Sequence, residues 1–445
     1  MLIPYIFCWQ LSKNGRPFHS RHNLANTVEF FMAFVKKLVW FGVTILSPAL
    51  CFGQTITVGS TTQQLNPSQR SSVAAYWPDG NMGAINRNGT NYIWAPTVGS
   101  AGGSVQATVS NLNSWSGNVT LDTPATNIPV GGSGAFDQNY VGGGAVYYDN
   151  ASGYLIQLYH GEQWFGGSGS PFYAALGLAY SSDFGNNWHK LGEVISPQAA
   201  RVNGGTNCQA EVGVGTLVPI GDYLYAYYTD TASGCTSLGI AVARASISSV
   251  IAAATAGTPF TSGAGTLFMK YTGSGTWTGD GVTDLANPQN GGGAFTQIAS
   301  DPAGSSYIPN VRYDSYTNTY IMVYIVVNSG NTTSQINAQT STDGLSWSSP
   351  RTLVTGGSGF GGTNMIYYPT LFDTSGGDPQ TLGQNFSVFY VQPFNQPGTG
   401  WANSGLYSTA LSVGQGPLPP VLNQPTVVGG SMASSTPAGA RLASR

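Results

Sequence analysis

Val146-Tyr147-Tyr148-Asp149, four turn residues, then Tyr154-Leu155-Ile156-Gln157-Leu158-Tyr159 form one stretch that recurs later in the chain. The second copy is Val311-Arg312-Tyr313-Asp314, five residues, then Tyr320-Ile321-Met322-Val323-Tyr324. Each copy reads as a strand, a tight turn and a returning strand, because short β-branched and aromatic runs are bounded by Asp, Asn, Ser and Gly. A related third hairpin follows both. Ser181-Ser182-Asp183-Phe184-Gly185-Asn186-Asn187-Trp188 answers to Ser341-Thr342-Asp343-Gly344-Leu345-Ser346-Trp347. Weaker copies of the strand pair start near Asp79 (to Trp94), Glu211 (to Asp230) and Tyr368 (to Gln392). Five self-similar four-stranded units predict an all-β chain folded as a five-bladed β-propeller of antiparallel blades.

Composition agrees. Of 445 residues, 7% are charged, against about a quarter in an ordinary soluble chain, and there are 61 glycines and 24 tyrosines. That excludes a coiled coil, a helical bundle and a charged disordered protein. Only Ala245–Thr255 reads as helix. After residue 53 there are 10 basic and 17 acidic residues, a formal charge of −7 without a basic cluster. Phosphate neutralisation needs clustered Lys and Arg, so no nucleic-acid partner is expected.

Residues 32–53 run Met-Ala-Phe-Val-Lys-Lys, an apolar stretch from Leu38 to Leu50, then Cys51-Phe52-Gly53. A basic start, an apolar core too short to span a bilayer, and small residues at the end predict a signal peptide. Residues 1–31 then precede the true start. The mature protein begins near Gln54, leaves the cell or enters the periplasm, and has no membrane partner after cleavage. The propeller is expected over 54–415, with a Pro-rich strap and flexible tail over 416–445. Whether an early strand (Thr55–Val58) or a late one closes the ring stays open. Cys208 and Cys235 are the two cysteines left after cleavage, and an oxidising compartment makes a disulfide between them the default.

The five units and the Ser-x-Asp-Gly-x-x-Trp turn resemble the five-bladed propeller glycosidases, the superfamily of arabinanases, β-xylosidases and invertases. The resemblance covers about residues 70–415 and is one of pattern. The Ser181–Trp188 turn also resembles the Asp box of sialidases. In both groups the turn is structural, so Asp183, Trp188, Asp343 and Trp347 are read as fold markers. The resemblance implies a monomeric hydrolase with a carbohydrate substrate, of arabinan or xylan type, and acid/base carboxylates in a central funnel. Its order of an Asp in the first blade, a second Asp, then a Glu is matched by Asp79, Asp137 and Glu211.

Those three are the expected catalytic residues: Asp79 as base or nucleophile, Asp137 as modulator of the acid, Glu211 as general acid. Cys208-Gln209-Ala210-Glu211-Val212-Gly213 resembles the family's Glu-Gly-Pro strand start, with Val212 as the departure. Family blades three and four usually carry the second Asp and the Glu, whereas here they fall in blades two and three. Second-strand ends put Asp230, His160 and Glu162 at the same mouth. Trp77, Trp94, Trp164 and Tyr368 complete the expected substrate-binding set, as flat rings on which sugars stack. No cofactor is called for. A central ion such as calcium held by His160, as in some arabinanases, has no second ligand visible in the sequence. A sialidase, a uronate lyase or a non-catalytic sugar-binding propeller are the alternatives, since propellers host all of them.

Overall fold

The computed structural model describes residues 54–414 apart from 75, 98–102, 122–127, 166–171, 201–209, 214, 232–237, 259–266, 285–289, 328–333, 357–364 and 394–402. Residues 32–53, read from the sequence as a signal peptide, the Pro-rich stretch 416–445, and both Cys208 and Cys235 with the disulfide expected between them lie outside that set. Among the described residues the chain builds five antiparallel blades in sequence order.

The first strand, β1 (Thr55–Leu65), belongs to the last blade. Blade 1 is β2 (Gly83–Arg87), β3 (Thr90–Thr97), β4 (Gly103–Val109) and β5 (Val119–Leu121). Blade 2 is β6 (Tyr140–Tyr148), β7 (Leu155–Trp164), β8 (Phe172–Ser181) and β9 (His189–Ile195), with the two-residue β10 (Ala210–Glu211) added parallel to β8. Blade 3 is β11 (Thr216–Ile220), β12 (Tyr223–Thr231), β13 (Leu238–Ser246), β14 (Met269–Lys270) and β15 (Gly279–Asp280). Blade 4 is β16 (Ser305–Asp314), β17 (Thr319–Val327), β18 (Ser334–Ser341) and β19 (Arg351–Thr355). Blade 5 is β20 (Tyr367–Asp373), β22 (Asn385–Pro393), β23 (Ser404–Gly414) and then β1, while β21 (Thr381–Leu382) in its hairpin crosses to pair with β16. The early strand therefore closes the ring: β1 pairs along β23 from Thr55↔Gly414 to Leu65↔Leu406.

Runs such as β17, TYIMVYIVV, are apolar without alternation because each blade is buried on both faces. Along β17, Ile321, Val323 and Ile325 pack toward blade 5, and Met322 and Tyr324 toward blade 3. Blade 2 splits likewise, Leu155 and Tyr159 facing blade 1 and Ile156 and Leu158 facing blade 3. Five such cores fill the five gaps between neighbouring blades. Each fully buried aliphatic or aromatic side chain contributes about 1.5–3 kcal/mol, so the ring holds by many equal contacts and no single blade dominates.

At the axis, side chains from different blades bond to one another's backbone. Asn81 Nδ2 and Thr216 Oγ1 both donate to the Pro309 carbonyl, at 2.9 and 3.0 Å. Asn310 Oδ1 accepts from Leu371 N at 2.9 Å, and Thr370 Oγ1 from Met82 N at 3.0 Å. Blade 1 approaches blade 2 through glycine: a Cβ on Gly144 would lie 1.7 Å from the Asn81 carbonyl oxygen. That contact explains one member of the Gly142-Gly143-Gly144 run.

The two Asp turns are structural, as read from the sequence. Asp183 Oδ1 accepts from Asn187 N at 2.8 Å, and Asp343 Oδ1 from Leu345 N and Ser346 N at 2.8 and 2.7 Å. The helix expected at Ala245–Thr255 is α2 (Ile247–Ala256), capped by Ser246 and ended by Gly257 in the left-handed region. A short helix α1 (Pro67–Val73) was not legible as one. Its Asn66–Gln69 capping box is the only local signal, and seven residues are too few for periodicity to show.

Candidate active site

One position recurs around the ring: the residue that opens each inner strand beside the end of the strand returning to it. In blade 1 this is Asp79, whose N–H donates to the Pro96 carbonyl at 2.8 Å. In blade 2 it is Tyr140, paired in register with Glu162. Between blades 2 and 3 it is Glu211, whose N–H donates to Thr231 Oγ1 at 2.9 Å. In blade 5 Tyr367 and Tyr368 open β20, where Tyr367 pairs with Val391 and a bulge follows. The strand-turn-strand arithmetic of the sequence thus sets Asp79, Glu211, Glu162 and Tyr368 on one end of the propeller.

These residues form one polar cluster, each partly open to solvent. The Asp79 carboxylate accepts from two tyrosines of different blades, Tyr140 OH on Oδ2 and Tyr368 OH on Oδ1, each at 3.4 Å. Burial and the charge of Asp79 hold both phenols well above their ordinary pKa, so both stay protonated as donors. Glu162 adds to the same rise in both. Next to Tyr140, whose ring lies 6.2 Å from that of His160, the His160 Nε2 contacts Glu162 Oε1 at 3.0 Å. Trp164 Nε1 donates to Glu162 Oε2 at 2.6 Å. Glu211 closes the chain of interactions: its charge acts on His160, and its Oε1 lies over Gly213, 3.5 Å from where a Cβ would stand.

Behind Asp79 sits Arg70 of α1, 1% exposed. Its guanidinium donates to the carbonyls of Tyr76, Trp77 and Pro78 at 2.6, 2.8 and 3.0 Å, and to Ser404 Oγ at 2.6 Å. Burial pushes its pKa down to about 10, with Asp79 opposing. Three successive carbonyls on one rigid fork fix the backbone that presents Asp79. Sequence reading missed Arg70 and Tyr140. Arg70 could have been flagged as the basic residue that follows a capping box; nothing local distinguishes Tyr140 from 23 other tyrosines.

Five expectations are corrected. Asp137 is 2% exposed and is held in blade 2 by Lys190 Nζ at 2.5 Å and Tyr159 OH at 3.1 Å. Lys190 stands on the outer strand β9, so this carboxylate is committed to the blade and not to the acid. Asp230 is fully buried and paired with Lys270 Nζ at 2.6 Å, and its other oxygen accepts from Gln198 N at 3.0 Å. Burial raises the Asp230 carboxyl and lowers the Lys270 ammonium, each opposed by the other's charge. Trp77 and Trp94 show no exposed surface; they pack in the gaps of blade 1, against Trp115 and Phe184, and offer no face to a sugar. His160 has both ring nitrogens engaged, Nδ1 with the Val212 carbonyl at 3.0 Å and Nε2 with Glu162. That leaves neither for a sugar hydroxyl or an ion. Among the described residues no three His, Cys, Asp or Glu side chains come together as a metal site.

No protein-family model matches the chain, and no curated relative does. Among solved structures it is similar to the catalytic domain of a GH62 α-L-arabinofuranosidase from Coprinopsis cinerea, with a TM-score of 0.46 and 12% identity over 81% of this chain and 98% of that one. A family 117 glycoside hydrolase from Zobellia galactanivorans scores 0.44 at 12% identity, over 81% and 90% of the two chains. An α-L-arabinofuranosidase from Podospora anserina, solved with cellotriose, scores 0.42 at 11% identity over 81% and 98%. These three are glycoside hydrolases by title, and the five-bladed ring is read from this chain's own strand order.

Proposed function

We propose that this chain is a glycoside hydrolase of the extracellular space or periplasm that cleaves a neutral polysaccharide or oligosaccharide, of arabinan or xylan type. Glu211 is the general acid that protonates the leaving oxygen, and Asp79 is the base or nucleophile. The observation that carries the reading is that carboxylates from blade 1 and from the blade 2–3 junction share one partly open polar cluster, whereas Asp137 and Asp230 are spent on lysines. Hydrolysis of a glycosidic bond needs two such groups in one cleft. Two tyrosine hydroxyls and the carbonyl clamp of Arg70 hold Asp79 in place, which favours a reactive geometry that costs no reorganisation. Trp164, Tyr367 and Tyr368 supply ring faces at the rim.

Charge supports a neutral substrate. The cluster carries Asp79, Glu162 and Glu211. Of the described arginines, Arg70 bonds to carbonyls, Arg312 lies in the core, Arg244 between Tyr223 and Trp277 and Arg87 over Phe184, while Arg351 is exposed on the outer strand β19. A sialidase or a uronate lyase requires cations on the substrate carboxylate.

Sugar release from arabinan, xylan, fructan and sialylated glycans, compared between the native protein and Glu211→Gln, tests the reading. Products from the neutral glycans that vanish in the variant are expected. Saturable glycan binding without any product would replace it with a carbohydrate-binding propeller.

A further inference from the structure

His160 faces two acceptors, and that stoichiometry carries a consequence. Its Nδ1 lies 3.0 Å from the backbone carbonyl of Val212, which can only accept, so Nδ1 bears a hydrogen. Its Nε2 lies 3.0 Å from Glu162 Oε1. Two lone pairs would repel at that separation, so one further proton sits between them, on the ring or on the carboxyl. Trp164 decides which. Its Nε1–H donates to the other Glu162 oxygen at 2.6 Å, a bond that is stronger to a carboxylate than to a carboxylic acid. The site therefore holds an imidazolium and a carboxylate.

The anchor point matters as much as the charge. At Val212 the chain changes blades: Val212 N donates to Ala174 of blade 2 at 2.9 Å, and the next N–H, of Gly213, to Thr229 of blade 3 at 2.8 Å. Glu211 is the residue immediately before this pivot and lies in register with Ala174, as Glu162 does from the other side. The His160 bond fastens the pivot's carbonyl to β7.

We propose that His160 and Glu162 share one extra proton as a charged imidazolium–carboxylate pair, and that its Nδ1–H bond to Val212 is the positioning element that aims Glu211. They are positioning residues, and the pair stands where a modulating carboxylate at Asp137 was expected. The groups facing the imidazolium are Glu162 on its own strand, Glu211 from the blade junction and Tyr140 from β6, with Asp79 one hydroxyl further on. Burial opposes the charge, and the Glu162 bond and charge, Glu211 and the Val212 carbonyl outweigh it, so the imidazole pKa is raised above 6.5. The charge of the pair stands independently of the proposed function; its effect on turnover rests on that reading.

Ring nitrogen spectra of the full chain labelled with ¹⁵N-histidine, from pH 5 to 8, test it directly. The resonance lost in His160→Gln identifies His160. Both of its ring nitrogens are expected to remain protonated at pH 7, and Glu162→Gln to bring the titration down to the ordinary histidine range. A non-protonated ring nitrogen on His160 at pH 7 in the native chain would overturn the pair, with no variant needed. On a hydrolysed glycan, Glu162→Gln should lower kcat by roughly 10²-fold, the scale of a misplaced catalytic group, with KM changed little. An unchanged kcat with a displaced titration would refute the positioning role. A doubly protonated His160 in a protein that hydrolyses no glycan would keep the pair and overturn the glycosidase reading instead.

Discussion

The carboxylates at the mouth and those inside the blades are the same chemical groups in opposite circumstances. Asp79 and Glu211 sit where inner strands begin, partly open to solvent, Asp79 with two tyrosine hydroxyls and the carbonyl-bound Arg70 behind it, Glu211 with His160. Asp137 and Asp230 sit one layer inward, 2% and 0% exposed, each with a lysine at 2.6 Å or less. Each of these two buried carboxylates is bound to a lysine ammonium of its own blade and faces no open space. What separates the carboxylates proposed as catalytic from the two held inside the blades is the partner, and the partner comes from another strand.

Substitution should separate the two groups most sharply in turnover. Glu211→Gln and Asp79→Asn are expected to lower kcat by about 10²–10⁴-fold, the usual share of a positioned acid or base, with thermal stability nearly unchanged. Kinetics on a hydrolysed glycan beside melting curves checks this. Lys270→Ala should do the reverse. It strands a fully buried Asp230, a loss of about 3–5 kcal/mol in denaturant unfolding, while the folded fraction keeps its kcat. If Lys270→Ala left stability intact, or Asp79→Asn unfolded the chain, the distinction between mouth and interior would fail.

The ring was legible because it depends on a local pattern. Val146–Tyr159 and Val311–Tyr324 announce their strands by composition, and counting back from those strands placed Asp79 and Glu211 at inner-strand starts. Partnership was not legible. Lys190 and Lys270 lie 53 and 40 residues from the carboxylates they neutralise, and nothing near Asp137 or Asp230 reveals them. Aromatic residues raised the same difficulty: in Trp77, Trp94 and Trp164 one residue type serves the gaps between blades and the rim alike, and only the third dimension sorts them. Arg70 escaped for a related reason, since its acceptors are carbonyls and carbonyls leave no trace in a sequence.

The charged pair at the mouth gives the comparison a pH axis. Glu162 has its pKa lowered from 4.5: burial raises it, and His160 and Trp164 outweigh that. Its contribution to stability is therefore present above about 4.5 and lost as pH falls through the lower folded value. His160 has its pKa raised from 6.5, so its contribution is full below about 6.5 and lost as pH rises through the higher folded value. The two overlap between about pH 4.5 and 6.5. The stability difference between the native chain and Glu162→Gln should be largest in that window and shrink on both sides, measured by urea unfolding across pH. A difference that keeps growing toward pH 9 would contradict the pair.

The Asp turns supply the smallest effect and a third circumstance for a carboxylate. Asp343 is ionised for hydrogen bonds alone: burial raises its pKa, and the N–H groups of Ser346 and Leu345 with the hydroxyls of Ser341 and Ser346 bring it below 3.8. Among the described residues no lysine is paired with it, and the turn joins β18 to β19 at the outer edge of blade 4. Asp343→Ala should therefore cost about 1–2 kcal/mol, the worth of a few partly solvated bonds to a charged acceptor. The same substitution at Asp183 should fall in the same range, since its bonds to Ser181 and Asn187 repeat the arrangement. Neither should alter kcat or its pH dependence. A loss of turnover at unchanged stability from either turn would mean that the outer edge communicates with the mouth, which the geometry of five separately packed blade interfaces gives no reason to expect.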